Sequence, residues 1–398
     1  MDVHRSAAPD PQGEASALGV AVVGLGWMGR VHTQAYVRVR HHFPDVPRVP
    51  HLVVAADAVP GRAAAAAAQY GFARATEDWR AAVADPQVQA VSVTLPNDLH
   101  REVGAAVAQA GKHLWIEKPV GLTTDDAATV AAAVAAAGVQ AAVGFNYRHA
   151  PAVDRAREII AAGGIGQVTH ARVRLFSDYA ASPDGALTWR YERARGGSGV
   201  LGDLASHGID LVRHLLGEVV AISADTAVFL TQRARPLAET TGHARGGGEL
   251  GPVENDDYVG CLLRLASGAR VVLEASRVAV GAQNDYGFEV HGTAGSLSWD
   301  FRRMGELLTS SGSAAQDQSV TTEFVGPAAG AYGAFQPGAA NPMSYDDLKV
   351  VEAHAFLCSI ADGVQRAAGL ADAVRAQQVL DAAAESAAGG RWLAIGPD

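Results

Sequence analysis

Two side chains suited to proton transfer lie four residues apart in one predicted helix. The apolar pattern predicts that helix from Val200 to Leu216, and it carries Asp203 and His207. Residues at this spacing project from one face of a helix, about one turn apart. An imidazole with an ordinary pKa of ~6.5 exchanges a proton readily near neutral pH. The carboxylate can hydrogen-bond either the imidazole or a substrate hydroxyl, so the pair is a candidate for acid–base catalysis.

The same helical face continues with Asp210 and His214. Two carboxylates and two imidazoles on one face could also form a metal site. His214 has a further interpretation as a buried structural histidine. The spacing alone therefore leaves proton transfer and metal binding open.

A glycine-rich segment near the amino terminus has the chemistry of a phosphate-binding turn. Gly24-Leu25-Gly26-Trp27-Met28-Gly29 follows a predicted strand, 19–23, and opens a predicted helix. In this pattern the first glycine allows a tight turn, the second lets the backbone approach a pyrophosphate, and the third packs helix on strand. The helix N-terminus adds free N–H groups and partial positive charge. The segment, with Trp27 and Met28 inside it, predicts a dinucleotide-binding site.

An acidic residue at the end of the next strand is the expected ribose ligand. Asp57 follows the predicted strand 52–56, farther from the glycines than the usual ~20 residues because of a proline-containing insertion, 41–48. A carboxylate there can accept both ribose hydroxyls and would repel a 2′-phosphate, which favours NAD. Arg62 keeps NADP open as an alternative, because a nearby arginine can pair with that phosphate. Asp57 could instead be a solvated turn residue.

The elements around these motifs change character near residue 148. Before it, β-branched runs alternate with helical stretches, which predicts a doubly wound parallel (Rossmann) sheet. Beyond it, strand-like runs separated by turn signals predict an α+β domain with a large, mainly antiparallel open sheet, and segment 233–249 predicts a mobile loop. We therefore expect an α/β fold with a disordered tail at 1–18. A dinucleotide-binding domain at 19–148 and a substrate-binding and oligomerisation domain at 149–398 would follow.

Composition excludes several classes of partner. The 398 residues include 42 acidic and 32 basic side chains, a formal net charge of −10, which argues against nucleic acid or an anionic membrane. Two cysteines, Cys261 and Cys358, are too few for a disulfide framework or a cysteine-built zinc site. No apolar stretch has the ~7–15 residues of a secretion-signal core or the ~20 of a membrane span. We expect a cytoplasmic protein.

Several motifs occur together along the chain and point to one family. They are Gly24–His32, Pro96-Asn97-Asp98-Leu99-His100, Ala110–His113, Glu117-Lys118-Pro119, Phe145–Arg148, Gly199–Asp203 with His207 and Asp210, and Val290–Ser296. In this order they resemble the Gfo/Idh/MocA oxidoreductases, sugar and cyclitol dehydrogenases named after glucose–fructose oxidoreductase and inositol dehydrogenase. The resemblance covers nearly the whole chain beyond the tail. Among members, levoglucosan and inositol dehydrogenases look most similar.

The resemblance implies an NAD(P)-dependent enzyme that uses no metal, with Lys118, Asp203 and His207 as the catalytic set. Glu117-Lys118-Pro119 ends a predicted strand at the carboxyl edge of the sheet, where ligands bind in open α/β folds. A lysine there can hydrogen-bond the reacting hydroxyl and stabilise developing alkoxide charge. The resemblance also implies cofactor contacts from five residues, Pro96, Asn97, His100, Glu117 and Lys118, the last of which can touch the nicotinamide ribose.

Substrate candidates flank the change from one predicted sheet to the other. They are Tyr147, Arg148, Asp178, Trp189 and Arg190, and each could instead be structural. An aromatic face and charged hydrogen-bond donors suit a polyol ring. An open antiparallel sheet commonly packs against its copy and relatives are often oligomeric, which together predict a homodimer or homotetramer.

These inferences predict NAD-dependent oxidation of one secondary hydroxyl of a sugar, anhydrosugar, aminosugar or cyclitol. His207 would take the proton, Lys118 and Asp203 would polarise and orient the hydroxyl, and hydride would pass to the nicotinamide. One alternative is a glycosidase or epimerase that oxidises a sugar transiently and recycles NAD. A second is a non-catalytic NAD-sensing regulator, against which the retained catalytic set argues.

Overall fold

The computed structural model describes residues 16–237, 244–335, 338 and 341–396. Its first sheet has six parallel strands in the order β3-β2-β1-β4-β5-β6. The strands are β1 (Ser16–Val23), β2 (Arg48–Ala56), β3 (Arg74–Thr76), β4 (Ala90–Val93), β5 (His113–Ile116) and β6 (Ala141–Val143). This order confirms the predicted doubly wound sheet. Because β1 begins at Ser16, residues 16–18 belong to the sheet and the assignment of a tail to them was wrong; residues 1–15 lie outside the described residues.

The helices that connect these strands begin and end with recognisable signals. They are α1 (Trp27–His42), α2 (Arg62–Tyr70), α3 (Trp79–Ala84), α4 (His100–Gln109) and α5 (Thr124–Ala137), followed by α6 (Pro151–Ala161). Thr123 and Asp126 form a reciprocal capping box at the start of α5, and Gly138 ends that helix in the left-handed conformation. The chain therefore returns to the same edge of the sheet after each helix.

The second sheet has nine strands in the order β16-β15-β14-β13-β7-β12-β11-β8-β17. All neighbours are antiparallel except β7 and β12, which confirms the predicted mainly antiparallel sheet. The strands are β7 (Val168–Ser177), β8 (Val219–Ala227), β11 (Tyr258–Leu265), β12 (Arg270–Ser276), β13 (Asn284–Gly292), β14 (Gly295–Asp300), β15 (Glu306–Ser311), β16 (Thr321–Phe324) and β17 (Leu393–Ala394). Two short strands, β9 (Gln232–Ala234) and β10 (Leu250–Pro252), pair separately at the ends of the predicted loop, whose residues 238–243 lie outside the described ones.

Helices of the second half cover one face of the nine-stranded sheet and return to the first. They are α7 (Arg193–Gly196), α8 (Ser206–Leu216), α9 (Tyr345–Asp362) and α10 (Leu370–Gly389), and one wide π-turn, Leu201–Ala205, leads into α8. Helix α8 packs on β7, whereas α9 packs against α1 and α10 against α5. The domain boundary predicted between 148 and 149 falls between the two sheets and stays a prediction, because α9 and α10 contact the first sheet's helices.

The opposite face of the nine-stranded sheet carries exposed apolar side chains. Leu262 on β11 and Val272 on β12 are 50% and 45% exposed. A second copy of the chain could cover this face, and the homodimer or homotetramer stays a prediction. Across the described ranges, none of the helices combines the length and the apolar character needed to cross a membrane.

We expect Gly208→Ala to destabilise the fold, because α8 lies directly on the sheet at this glycine. A Cβ at Gly208 would lie 2.5 Å from Cδ1 of Leu175 and 2.9 Å from Cδ1 of Leu273, both buried. Overpacking of this kind costs about 1–3 kcal/mol, more than the gain of about 1 kcal/mol that alanine brings to a helix. The free energy of unfolding in urea should therefore fall.

Gly202→Ala is the matched control, because the nearest atom to its new Cβ would be 3.4 Å away, at the Ser198 Oγ. Its free energy of unfolding should stay unchanged or rise. Equal stability of Gly208→Ala and the unsubstituted chain would contradict the packing argument.

Candidate active site

A cavity of about 1200 Å³ lies where the carboxyl edge of the parallel sheet faces the second sheet and α8. The structure brings all predicted site residues to it except Gly29 and Arg148. Those on the cavity wall are Gly24, Gly26, Trp27, Met28, Asp57, Arg62, Pro96, Asn97, His100, Glu117, Lys118, Tyr147, Asp178, Trp189, Arg190, Asp203 and His207. One cavity therefore joins the nucleotide-binding motifs to the acid–base pair.

The glycine turn between β1 and α1 has the shape that a pyrophosphate requires. Gly24 has a φ of +89°, and a Cβ at Gly29 would lie 1.9 Å from the Gly24 carbonyl oxygen, so both positions demand glycine. At Gly26, by contrast, a Cβ would have nothing within 4 Å. This open space borders the cavity beside the N-terminus of α1, whose N–H groups can bind phosphate. The turn therefore fits a dinucleotide, and Gly29 contributes to packing beneath it.

Asp57 is held at the cavity wall by fixed donors. Its Oδ2 accepts a hydrogen bond from the Leu25 N–H at 2.6 Å and its Oδ1 accepts one from the Val59 N–H at 2.8 Å. The Arg62 guanidinium lies 3.3 Å from both carboxylate oxygens. Asp57 is only 7% exposed, which argues against a solvated turn residue.

Lys118 and Asp203 meet on the wall of the cavity. The Lys118 Nζ donates to the Asp203 carbonyl oxygen at 2.6 Å and lies 3.1 Å from its Oδ1. Tyr179, which the sequence analysis missed, donates its hydroxyl to the Asp203 Oδ2 at 2.5 Å. Burial alone would raise the pKa of the Asp203 carboxyl, but the charges of Lys118 and Arg190 and the bonds from Tyr179 and Lys118 lower it below its ordinary value. Asp203 is therefore a carboxylate at neutral pH.

His207 lies one turn after Asp203, at the start of α8, and is buried. Its ring stands perpendicular to the Tyr147 ring, with the centroids 4.8 Å apart. Burial and, next, the Lys118 charge hold the pKa of His207 well below its ordinary value of 6.5. The imidazole is therefore neutral at pH 7, the state in which it can accept a proton. Within the described parts of the chain, its Nδ1 has no hydrogen-bond partner.

Glu117 and His100 support the site through bonds to protein atoms. The Glu117 carboxylate contacts Lys349 Nζ at 2.6 Å and His32 Nε2 at 3.0 Å, so it is occupied by protein partners although it borders the cavity. The two ring nitrogens of His100 lie 2.7 and 2.9 Å from the carbonyl oxygens of Pro119 and Leu95. Both residues thus brace the strand ends, and the cofactor contact expected of them stays a prediction.

Asn97 bridges the first sheet to α7. Its side-chain Nδ2 donates to the Gly196 carbonyl oxygen at 3.1 Å, and Asn97 and Pro96 both border the cavity. This side of the cavity is therefore built from a strand end of one sheet and a short helix of the other half.

Arg148 does not reach the cavity, and the expectation that it binds substrate was wrong. Its Nε donates to the Asp210 Oδ2 at 2.7 Å and its Nη1 to the Asp372 Oδ2 at 3.1 Å. The physical reason is that the buried Asp210 carboxylate needs a compensating charge. Asp210 is therefore paired with Arg148 and is absent from the cavity wall. Across the described residues, no group of three or more His, Cys, Asp or Glu side chains is placed to hold a metal ion.

The substrate side of the cavity is aromatic and charged. Trp189 and Arg190 lie on a short 3-10 turn, and the Arg190 guanidinium sits 4.5 Å from the Trp189 ring centroid. The Asp178 Oδ2 accepts a hydrogen bond from the Gln283 N–H at 3.3 Å. Further wall residues that the sequence analysis missed include Tyr179, Arg277, Asn284, Tyr286 and Tyr345. They carry no shared spacing in the sequence and meet only in the fold; adjacency to Asp178 was the one available signal for Tyr179.

Comparison with known proteins places the chain in a family. Residues 18–145 match the oxidoreductase family with an NAD-binding Rossmann fold, and residues 153–298 match the GFO/IDH/MocA C-terminal domain. Levoglucosan dehydrogenase of Pseudarthrobacter phenanthrenivorans is 37% identical over 384 residues, which is 95% of this chain and 98% of that protein. Inositol 2-dehydrogenase of Rhizobium meliloti is 27% identical over 94% of this chain and 98% of its own length.

A solved structure of levoglucosan dehydrogenase in complex with NADH and levoglucosan has a similar fold. It superimposes with a TM-score of 0.89 at 35% identity and covers 96% of this chain and 100% of that chain. Both halves of the predicted resemblance are thereby confirmed. The chain belongs to the Gfo/Idh/MocA family of oxidoreductases, and its parallel-sheet segment is an NAD-binding Rossmann fold.

Proposed function

We propose that this enzyme oxidises one secondary hydroxyl of a sugar-like ring with NAD⁺, and that a 1,6-anhydrosugar such as levoglucosan is its substrate. The observation that supports the proposal is the meeting of Lys118, Asp203 and neutral His207 on the same cavity as the open turn at Gly26. The relative that is 37% identical over almost the whole chain is named for levoglucosan, and a second relative for inositol. Cyclitols, other sugars and aminosugars are therefore the comparison substrates.

The proton of the reacting hydroxyl passes to His207 in this proposal. The imidazole is neutral and borders the cavity, so it can act as a general base. Lys118 donates a hydrogen bond to the hydroxyl oxygen and stabilises the alkoxide charge that develops there. Asp203 holds the Lys118 ammonium, and Tyr179 holds Asp203. Bound NAD⁺ supplies the acceptor for the hydride that leaves the carbinol carbon.

The charges around His207 also favour release of the proton that it takes. Lys118 disfavours a charged imidazole, whereas the Asp203 carboxylate favours it. His207 can therefore accept the hydroxyl proton during the reaction, and because its pKa is low it releases that proton to water at neutral pH. The pair of opposite charges thus adjusts the base to its task.

The wall opposite the parallel sheet suits a hydroxyl-rich ring. Trp189, stacked with Arg190, offers an apolar face beside a cationic donor, and Asp178 and Tyr147 add polar groups. A ring with several hydroxyls needs such a mixture, because each buried hydroxyl requires a partner. We assign these four residues to substrate binding as part of the proposal.

Asp57 is assigned to the adenosine ribose, with NAD preferred over NADP. Its carboxylate is fixed by the Leu25 and Val59 N–H groups, so it cannot turn away from a 2′-phosphate. Arg62 is paired with that same carboxylate and is therefore unavailable to the phosphate. The preference thus depends on the Asp57 carboxylate, which would lie against a 2′-phosphate and which occupies the arginine that could otherwise bind that phosphate.

Oxidation of levoglucosan by NAD⁺ should be detectable as NADH absorbance, and Lys118→Ala and His207→Ala should each lower kcat by ~10²-fold or more. NADH affinity, followed by fluorescence, should persist because neither side chain forms the glycine turn. His214→Ala is the matched control, since His214 lies on the same helix but off the cavity wall, and its kcat should stay within about twofold. Near-normal turnover in both variants, or no NADH with any sugar or cyclitol, would refute the proposal.

Activity should be retained well into mildly acidic solution. The base must be neutral to act, and burial with the Lys118 charge lowers the pKa of His207 below 6.5. kcat/KM should therefore remain flat as the pH falls through 6.5 and decline only near the lowered pKa. A pH profile at constant ionic strength, with circular dichroism to verify folding, measures this; an acid limb at or above pH 6.5 would argue against His207 as the base.

Asp57→Ser should raise the ratio of kcat/KM for NADP⁺ over NAD⁺ by about tenfold or more. The substitution removes the charge that repels a 2′-phosphate and frees Arg62 to bind it, and tenfold corresponds to about 1.4 kcal/mol. Steady-state kinetics with both cofactors measure the ratio. The double variant Asp57→Ser with Arg62→Ala should lose the gain, and an unchanged ratio in Asp57→Ser would exclude this carboxylate as the selective group.

A further inference from the structure

Behind Lys118 lies a buried set of side chains that the proposed reaction does not use. It comprises His32 on α1, Trp115 on β5, Glu117 after β5, and Lys349 and Glu352 on α9, and we call it the Lys349 cluster. The Lys349 Nζ lies 2.6 Å from the Glu117 Oε1 and 3.3 Å from the Glu352 Oε1. Lys349 and Glu352 are both 0% exposed. Charged groups are almost never buried to this degree unless they are paired.

The cluster contacts the proposed catalytic lysine through Glu117. The Oε2 of Glu117 accepts the backbone N–H of Lys118 at 3.2 Å, while its Oε1 is held by Lys349 and His32. On another side the carboxylate lies against Gly144, where a Cβ would approach it to 2.5 Å. The Glu117 carboxylate therefore has little freedom to move, and it holds the backbone from which the Lys118 side chain extends to Asp203.

Lys349 supplies the main positive charge that stabilises the buried Glu117 carboxylate. Burial lowers the pKa of His32 to about 4, so the imidazole is neutral at pH 7 and contributes a hydrogen bond only. The other cation beside the Glu117 carboxylate is the ammonium of Lys118 itself, one residue along the chain. A buried carboxylate without a cation is strongly unfavourable. Without Lys349, Glu117 would take up a proton or attract the Lys118 ammonium away from Asp203.

Helix α9 connects this cluster to the cavity. Tyr345, one turn before Lys349, stacks on Trp27 with a centroid distance of 5.6 Å and borders the cavity. The first turn of α9 thus borders the cavity through Tyr345, and its second turn places the Lys349 ammonium against the Glu117 carboxylate. Its position is further fixed by Arg38 of α1, which pairs with Asp347.

We propose that Lys349 is a positioning residue for the reaction: by satisfying the Glu117 carboxylate it leaves the Lys118 ammonium to Asp203 and to the reacting hydroxyl. The proposal rests on the function proposed above. It assigns to α9, a helix beyond the nine-stranded sheet, a task in the geometry of a lysine that lies more than 200 residues earlier.

Lys349→Met tests the proposal, because it keeps the length of the side chain and removes its charge. We expect kcat on levoglucosan to fall about tenfold or more, since small displacements of a reacting group are costly. NADH affinity should stay within about threefold, because the glycine turn is untouched. The acid limb of kcat/KM should also shift, because the Lys349 charge lowers the pKa of His207 and the Glu117 charge that it holds raises it. The charges that face His207 are Lys118, Glu117, Lys349 and Asp203, and Lys349 is one of those that lower its pKa.

Glu352→Gln is the matched control. It alters an equally buried partner of Lys349, preserves an acceptor for the Trp115 Nε1 and leaves the contact between Lys349 and Glu117 in place. Its kcat and pH profile should match those of the unsubstituted enzyme, within about twofold. If the cluster served stability alone, both variants would lower the melting temperature and neither would change kcat or the pH profile of the folded protein.

Glu117→Gln alters the contact between Lys349 and Glu117 at its acidic partner. It tests the proposal if Lys349→Met does not fold. Its amide has one acceptor oxygen in place of two, so it cannot accept from Lys349 at one atom and from the Lys118 N–H at the other, and kcat should again fall about tenfold with NADH binding retained. Unchanged kcat and pH profile in the folded variants, or failure of both to fold, would overturn the proposal. A failure of the proposed function is distinct, since Lys118→Ala would then be fully active.

Discussion

The contact between Lys118 and Asp203 is the interaction on which the rest of the site depends. It joins the end of β5 in the parallel sheet to the π-turn that precedes α8 on the other sheet. An ion pair that loses part of its hydration needs further partners, and here each member has them. Tyr179 bonds to Asp203, and Glu117 holds the Lys118 backbone. The cavity is therefore organised around one charge contact between two sheets, with nearby groups arranged to keep it.

The parts of this architecture that could be predicted from sequence are those in which local rules act alone. Carboxyl ends of parallel strands meet at one edge, so the sequence alone predicts that the glycine turn, Asp57 and Lys118 lie near each other. Helical geometry also predicts that Asp203 and His207, four residues apart, project from one face, although the turn that carries Asp203 is a π-turn rather than an α-turn. These are short-range regularities, and the comparison with relatives confirms the fold that they predict.

The roles that sequence reasoning assigned wrongly or missed depend on partners far away in the chain. Arg148 stands in a motif that suggested substrate contact, but its partners Asp210 and Asp372 lie 62 and 224 residues away. Lys349 was not singled out in the sequence, because no local pattern marks it, yet it is fully buried against Glu117. Tyr179 and Tyr345 reach the cavity only because two sheets and a returning helix converge there. Pairing of buried charges is decided by tertiary structure, which one sequence does not display.

Because α9 packs against the parallel-sheet half, that half is incomplete as a separate module. Cut out at residue 148, that half would keep its six strands and its glycine turn but would lose the cation that balances Glu117. It would also expose the face of α1 on which α9 packs. A chimera that grafts this half onto another substrate domain would have to carry α9 along or replace Glu117 with a neutral residue. In this chain, a helix that follows the nine-stranded sheet completes the interior of the parallel-sheet half.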